Sequence, residues 1–220
     1  KERFENYKQQ PLEWNMLPGF TGKLGQYGLN PDRREKSGVR AAIIREKGTN
    51  GEREMAYMLY LAGFDVKDVM MTDLITGRET LDDINFIVFC GGFSNSDVLG
   101  SAKGWAGAFL YNEKAKEALD RFYARPDTLS LGVCNGCQLM VELGLVGKVA
   151  ENNCGKAKML HNDSHKFESN FVGVTVQTNR SVLMGSLSGS RLGIWVAHGE
   201  GKFQLPGSEG DYNVVLKYSY

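Results

Sequence analysis

The sequence predicts an α/β fold built on an open, mostly parallel β-sheet with helices on both faces. Four short apolar runs have the composition of strands that are buried on both faces. Helix-forming segments without internal proline separate these runs and supply the crossovers that parallel strands need. The length of 220 residues, 42% hydrophobic and 24% charged, suits one globular domain.

The predicted elements alternate from residue 39 onward. The four buried strands are predicted at residues 39–44, 64–71, 84–90 and 129–133. A helix at 52–61 ends before Gly63, and helices at 102–110 and 114–123 connect the third strand to the fourth. After residue 145 no strong helix is predicted, and strand candidates lie at 171–177, 192–197 and 213–218.

Two segments are expected along the chain. Residues 1–37 carry prolines and scattered glycines but no sustained apolar period, so we interpret them as a linker or arm. Large side chains such as Trp14 and Phe20 indicate that this arm lies against another surface, which we expect outside this chain. Residues 38–220 form the main domain, and because they stop within a strand-rich stretch, we expect this domain to be truncated at its C-terminus.

Composition excludes several classes of protein. The 26 basic and 26 acidic side chains balance, which argues against a nucleic-acid-binding groove. There is neither an apolar run of membrane-spanning length nor a secretory signal at the start, so a cytoplasmic protein without membrane partners is expected. Reduced thiols are therefore expected at the four cysteines, which are Cys90, Cys134, Cys137 and Cys154.

The clearest chemical signal follows the fourth strand. In Gly132-Val133-Cys134-Asn135-Gly136, a cysteine stands between two glycines at the junction of a strand and a helix. This is the cysteine form of the nucleophile elbow, in which glycines remove the Cβ atoms that would collide in the sharp turn. The helix N-terminus is expected to lower the thiol pKa, and the Asn135 N–H to stabilise an oxyanion.

A second loop follows the third strand and has the sequence Gly91-Gly92-Phe93-Ser94. Adjacent glycines let the backbone come close to a ligand and direct an N–H group toward it. Because ligands of open α/β sheets bind beyond the carboxyl ends of the strands, a second oxyanion donor is expected in this loop.

These motifs resemble those of class I glutamine amidotransferases, and most closely those of the large, single-chain phosphoribosylformylglycinamidine synthase family. The resemblance covers about residues 39–220 and includes two further motifs, His161-Asn162-Asp163-Ser164-His165 and Ala197-His198-Gly199-Glu200-Gly201. It implies a flavodoxin-like sheet and a glutaminase domain in which Cys134 forms a glutamyl thioester. It also implies that Gly92, Phe93 and Asn135 form the oxyanion region and that Gln138 helps to hold glutamine.

The resemblance also implies a partner domain and a reaction. The glutaminase would pass ammonia to a synthase domain of the same polypeptide, joined through residues 1–37. That synthase would use ATP and Mg²⁺ to convert formylglycinamide ribonucleotide to formylglycinamidine ribonucleotide in purine biosynthesis. No cofactor and no metal ion are expected in the glutaminase domain itself.

The sequence departs from the family in the partners of the nucleophile. The family's histidine and glutamate lie in a Pro-His-Pro-Glu motif, which these 220 residues lack. We therefore expect both partners beyond residue 220, with His198 and Glu200 as the weaker candidates within the chain. A general base is worth roughly 10²–10⁴-fold in rate, so the isolated chain is expected to be nearly inactive.

Two other functions stay open at this point. Cys134 and Cys137 have the spacing of a redox pair, and His161 and His165 that of zinc-finger ligands, which would suit a metal or redox site. A catalytically silent glutaminase-like domain, retained for binding or regulation, is the third hypothesis, and only the missing histidine motif supports it.

Overall fold

The computed structural model describes residues 13–147 and 156–219. Strands in the first part are β1 (Arg40–Arg45), β2 (Thr49–Asn50), β3 (Asp65–Met70), β4 (Phe86–Phe89), β5 (Gly91–Gly92) and β6 (Leu129–Gly132). Strands in the second part are β7 (Lys158–Leu160), β8 (Glu168–Val176), β9 (Arg191–His198), β10 (Lys202–Gln204) and β11 (Leu216–Tyr218). The helices are α1 (Glu52–Leu61), α2 (Met71–Thr76), α3 (Lys103–Leu110), α4 (Glu113–Ala124) and α5 (Asn135–Glu142).

Four parallel strands form the central sheet in the order β3–β1–β4–β6. Counting only these strands, the order is 2-1-3-4, which is the flavodoxin-like arrangement predicted from the sequence. The strands β4 and β6 lie side by side, with Phe89 opposite Gly132 at their carboxyl ends. The two loops that carry the predicted chemistry therefore leave the sheet at the same edge.

The two faces of the sheet are covered unequally. Helices α2 to α5 pack on one face, where Phe89, Trp105 and Phe109 are buried and their rings meet edge to face at 5.9 and 6.0 Å. Among the described helices only α1 covers the other face, through Leu59 against Ile43 and Val88. The prediction of helices on both faces is confirmed, and the predicted α1 has the observed bounds.

The second part of the chain is antiparallel, as the strand-rich pattern indicated. The strands β11, β8 and β9 form one sheet, and β7 pairs with β10. These are sheets of their own rather than added strands of the parallel sheet. The short elements α2, β2, β5, β7 and β10 were not predicted, because two to six residues are too few to establish a hydrophobic period.

The described part of the arm, residues 13–37, packs on this chain. The Trp14 ring lies 5.5 Å from that of Phe171, and Asn15 exchanges backbone hydrogen bonds with Arg191. A Cβ atom on Gly193 would come within 2.6 Å of the Trp14 ring, so this glycine makes room for it. The expectation that the arm's surface lies outside the chain is thus wrong for these contacts.

Candidate active site

The elbow at Cys134 has the strained backbone that its glycines predicted. Cys134 lies between β6 and α5 with φ 51° and ψ −110°, a conformation that costs free energy in a non-glycine residue. A Cβ atom on Gly132 would lie 2.6 Å from the Gly136 carbonyl oxygen, and one on Gly136 would overlap the Phe89 carbonyl. Both glycines are therefore required for the turn, and the sharp turn between strand and helix that they predicted is present.

The thiol of Cys134 is half-buried and faces three backbone groups. The N–H groups of Asn135 and Gly92 point at the sulfur, and the thiol donates to the Ala197 carbonyl at 3.2 Å. Burial raises the pKa of Cys134 above its ordinary value, the two N–H groups act against that rise, and the charge of Asp97 adds to it. The expectation of a lowered pKa is wrong for this arrangement, because desolvation outweighs the helix N-terminus.

The glycine loop lies where the sequence placed it, directly beside the nucleophile. A short antiparallel pairing of Gly91 and Gly92 with β2 fixes the loop, and a Cβ atom on Gly92 would lie 2.7 Å from the Gly48 oxygen. The Phe93 N–H donates to the Gly48 carbonyl at 2.9 Å, so it is not free to bind an oxyanion. The ring of Phe93 is exposed and lies 6.4 Å from that of Phe167.

A buried network of side-chain amides joins the loops around the thiol. Asn135 Oδ1 accepts from the N–H of Ser94 at 3.1 Å and from its hydroxyl at 2.6 Å. Asn135 Nδ2 donates to Gln138 Oε1 at 2.8 Å, and Gln138 Nε2 donates to the Glu200 carbonyl at 2.9 Å. Both ends of the Gln138 carboxamide are thus engaged within the protein, and one N–H and one lone pair remain for a further partner.

His198 and Glu200 have separate partners. His198 Nδ1 contacts Asn162 Oδ1 at 3.0 Å, and that oxygen also accepts the Gly201 N–H at 3.1 Å, so Nδ1 carries the imidazole proton. The Glu200 carboxylate accepts from the N–H and hydroxyl of Ser101, both at 2.6 Å. Within residues 13–147 and 156–219, neither side chain hydrogen-bonds the other or Cys134.

The two side chains also line different clefts. The Glu200 side chain lines a cleft of about 600 Å³, together with Asp97, Ser101 and His161. His198 lines a second cleft with Val172, Val196 and Tyr218. The structure therefore does not bring the His-x-Glu pair together as a catalytic dyad.

The described residues do not form the metal or redox site that the cysteine and histidine spacings allowed. Among the described residues no three His, Cys, Asp or Glu side chains are grouped as metal ligands. Cys137 is one helical turn from Cys134, and Cys90 is buried in the sheet, both as free thiols. Cys154 lies outside the described residues. None of the described helices has the length and apolarity that crossing a bilayer requires.

Sequence reasoning missed four groups that shape the site: the side chains of Ser94, Asp97 and Asn162 and the carbonyl of Ala197. Asn162 is buried and also donates to the His198 carbonyl at 2.7 Å, so it fixes the turn at 198–201. Ser94, Asn162 and Ala197 stood within motifs that the sequence displayed. Their hydrogen-bond partners lie tens of residues away along the chain, so the sequence spacing did not reveal these contacts.

Replacing Gly136 with alanine is expected to destabilise the fold and distort the elbow. Its Cβ atom would overlap the Phe89 carbonyl, and backbone atoms cannot move aside as a flexible side chain can. We expect Gly136→Ala to lower the free energy of unfolding by about 1–3 kcal/mol or more, which is the usual effect of overpacking a core.

Urea denaturation measures this change in the free energy of unfolding. Gly210→Ala is the control, because a Cβ atom at Gly210 meets nothing within 4 Å. Equal stability of the two variants would contradict this account of the elbow.

Removing the charge of Asp97 is expected to make Cys134 more reactive at neutral pH. Because this carboxylate raises the pKa of Cys134, Asp97→Asn lowers that pKa and increases the thiolate fraction below it. The rate of alkylation by iodoacetamide, followed on the Cys134 peptide by mass spectrometry, should rise with pH through 7–9 and be faster in the variant at pH 7.5. Glu117→Gln is the charge-matched control, at an exposed position of α4. A slower Asp97→Asn variant would refute the stated cause of the shift.

Comparison with known proteins gives the same family for nearly the whole chain. Residues 38–218 match the family model of the CobB/CobQ-like glutamine amidotransferase domain. The solved structure of PurLQS from Thermotoga maritima superposes with a TM-score of 0.66 and 28% sequence identity, covering 83% of this chain and 75% of that one.

Two curated relatives are considerably longer proteins. The phosphoribosylformylglycinamidine synthase of Dictyostelium discoideum is 46% identical over 202 residues, which are 86% of this chain and 15% of the relative. The probable chloroplastic/mitochondrial phosphoribosylformylglycinamidine synthase of Arabidopsis thaliana is 47% identical over 170 residues, 76% of this chain and 12% of the relative. The chain thus spans about an eighth to a seventh of the length of these relatives.

Proposed function

Because this chain belongs to the CobB/CobQ-like glutamine amidotransferase family, we propose that it hydrolyses glutamine through Cys134 to supply ammonia. The observation that carries the proposal is the strained elbow, which holds the Cys134 sulfur between the N–H groups of Asn135 and Gly92. A strained backbone persists only where its surroundings enforce it, and such strain concentrates at active sites.

The arrangement suits nucleophilic attack on a side-chain amide. The Cys134 thiolate attacks the δ-carbonyl carbon of glutamine, and the carbonyl oxygen takes the negative charge. The N–H groups that now face the sulfur are placed to donate to that oxygen. The C–N bond then breaks, the nitrogen takes a proton and leaves as ammonia, and water hydrolyses the glutamyl thioester to glutamate and free thiol.

The proton for the leaving nitrogen needs a general acid, which also acts as the base for the thiol. His198 is hydrogen-bonded to Asn162 and lines a separate cleft, and Glu200 is bound to Ser101. We therefore propose that the catalytic histidine and glutamate lie outside the described residues, and that His198 and Glu200 support the loop at the site. Gly92 and Asn135 are the proposed oxyanion donors, with Phe93 and Gln138 on the substrate side.

The longer relatives suggest what the ammonia is for. We propose that residues 38–220 are the glutaminase of a phosphoribosylformylglycinamidine synthase and that residues 1–37 lead into its synthase domain. In that assignment ATP and Mg²⁺ act in the synthase domain, and ammonia aminates formylglycinamide ribonucleotide. A cytoplasmic location is proposed on the free thiols of Cys90, Cys134 and Cys137, although the name of the Arabidopsis relative places that relative in chloroplasts or mitochondria.

The proposal is tested in a chimera in which residues 38–218 replace the matching segment of the Dictyostelium relative. Glutamine-dependent, ATP-dependent formation of formylglycinamidine ribonucleotide is expected, and Cys134→Ala should abolish it. Synthesis from added ammonium should survive in that variant, because ammonium bypasses the glutaminase. Loss of both activities would indicate a misassembled chimera, whereas unchanged glutamine use in Cys134→Ala would overturn the proposal.

The same chimera distinguishes the candidate bases. If His198 were the base, His198→Ala would lower glutamine use by roughly 10²–10⁴-fold. We expect His198→Ala to lower the rate of glutamine use by less than about tenfold, because the imidazole is hydrogen-bonded to Asn162 and supports the loop. Glu200→Gln is the companion variant. A chimera that uses no glutamine but does use ammonium would favour a catalytically silent domain.

A further inference from the structure

The side-chain carboxamide of Asn135 is buried among polar partners, and the proposed role of the backbone N–H as an oxyanion donor does not explain this. The residue is 1% exposed, and its hydrogen-bond partners are polar groups of the segments around Cys134. Its oxygen accepts two hydrogen bonds from Ser94, and its nitrogen donates to Gln138 and lies 3.5 Å from Asp97. A buried amide keeps its place only if such bonds are formed, because an unpaired one costs about 1–3 kcal/mol.

The loop held by Asn135 needs a fixed anchor. Asn95, Ser96 and Asp97 all have left-handed φ angles, between 47° and 57°, and none of them is glycine. Such residues persist only where contacts outside the loop enforce them. Ser94 begins this stretch and lies two residues beyond Gly92, whose N–H faces the sulfur. The hydrogen bonds from Ser94 to Asn135 therefore fix the segment that follows Gly92, and with it the position of the Gly92 N–H group.

The donor end of Asn135 connects, through Gln138, to a second segment that contacts the thiol. It binds Gln138, which in turn binds the Glu200 carbonyl at 2.9 Å. The loop that carries Glu200 follows Ala197, whose carbonyl accepts the Cys134 thiol. One carboxamide thus connects the loop that presents the Gly92 N–H with the strand end that holds the sulfur.

We propose that the side chain of Asn135 is a positioning residue for glutamine hydrolysis, separate from the oxyanion contact of its backbone N–H. Among the described residues it hydrogen-bonds Ser94, Gln138 and Asp97 and not the sulfur, and it acts by holding the Gly92 loop and the 197–200 segment at fixed distances from Cys134. This inference rests on the proposed function. It predicts an effect on transition-state stabilisation rather than on substrate binding, because an oxyanion donor is needed most when charge develops.

The test combines amide exchange with kinetics in Asn135→Ala, using the 220-residue chain for exchange and the chimera for turnover. Exchange of the Ser94 amide, measured by NMR, should become at least about tenfold faster, since its acceptor is gone. The kcat for glutamine should fall about 10–100-fold. This is less than the roughly 10²–10³-fold loss in kcat on deleting an oxyanion donor, because the Gly92 donor is displaced and not removed. The KM for glutamine should stay within about threefold, because binding does not require the oxyanion donor. Alkylation of Cys134 by iodoacetamide should slow by less than kcat does, because the Gly92 N–H also lowers the pKa of the thiol.

Two variants provide the matched controls. Asn135→Asp keeps an acceptor for Ser94 and should retain slow exchange of its amide. Ser94→Ala removes only the hydroxyl bond and leaves the backbone N–H bonded to Asn135, so its loss in kcat should be smaller than that of Asn135→Ala.

Three results would overturn the inference while leaving the proposed function in place. Unchanged Ser94 exchange in Asn135→Ala would show that the carboxamide does not hold the loop. Faster exchange with unchanged kcat would show that the held position is irrelevant to turnover. A parallel fall in kcat, alkylation rate and thermal midpoint would show a structural role only. A wild-type chimera that uses ammonium but not glutamine would refute the proposed function and this inference with it, while the exchange result would still report on the hydrogen bond.

Discussion

The site depends on one steric constraint, the packing of the backbone of Gly136 against the carbonyl of Phe89 at the end of β4. That contact brings the first turn of α5 so close to the sheet that the chain must reverse within Cys134, which takes up φ 51° and ψ −110°. The sulfur is thereby presented at the helix N-terminus, beside the loop that leaves the neighbouring strand. Because β4 and β6 are adjacent and parallel, the loop with Gly92 and the elbow with Cys134 leave the sheet at the same edge and lie next to each other.

The second requirement is the fixing of loops that are strained in their own right. Buried polar side chains do this with partners that are distant along the chain: Ser94 and Asn135 are separated by 41 residues, Gln138 and Glu200 by 62, and Ser101 and Glu200 by 99. A network of this kind stabilises the fold only when every member is satisfied, and each hydrogen bond strengthens its neighbours in a low-dielectric interior. The same burial raises the pKa of Cys134 and so disfavours the thiolate, while the sulfur lies 3.2 Å from the Ala197 carbonyl oxygen. Turnover therefore needs a base that draws the proton away.

Much of this architecture could be predicted from the sequence, and the limits have physical causes. The parallel strands, α1 and the elbow follow from apolar runs and from glycines whose Cβ atoms would collide, which are local signals. The pKa of Cys134 could not be predicted, because desolvation depends on the packing of the whole edge of the sheet. The burial of Gln138 and the separate partners of His198 and Glu200 likewise depend on contacts across the sheet. A His-x-Glu spacing in the sequence does not show that its two side chains face each other, and here they do not.

The central claim is that Cys134 attacks glutamine and carries the glutamyl group. It is tested most directly by quenching the chimera in acid during turnover of L-glutamine and mapping covalent adducts by peptide mass spectrometry. The account predicts a glutamyl adduct that fragmentation of the peptide assigns to Cys134 and not to Cys137 of the same peptide, and no adduct on the peptides that contain Cys90 and Cys154. Turnover of glutamine with the adduct on a different residue, and Cys134 unmodified, would contradict it.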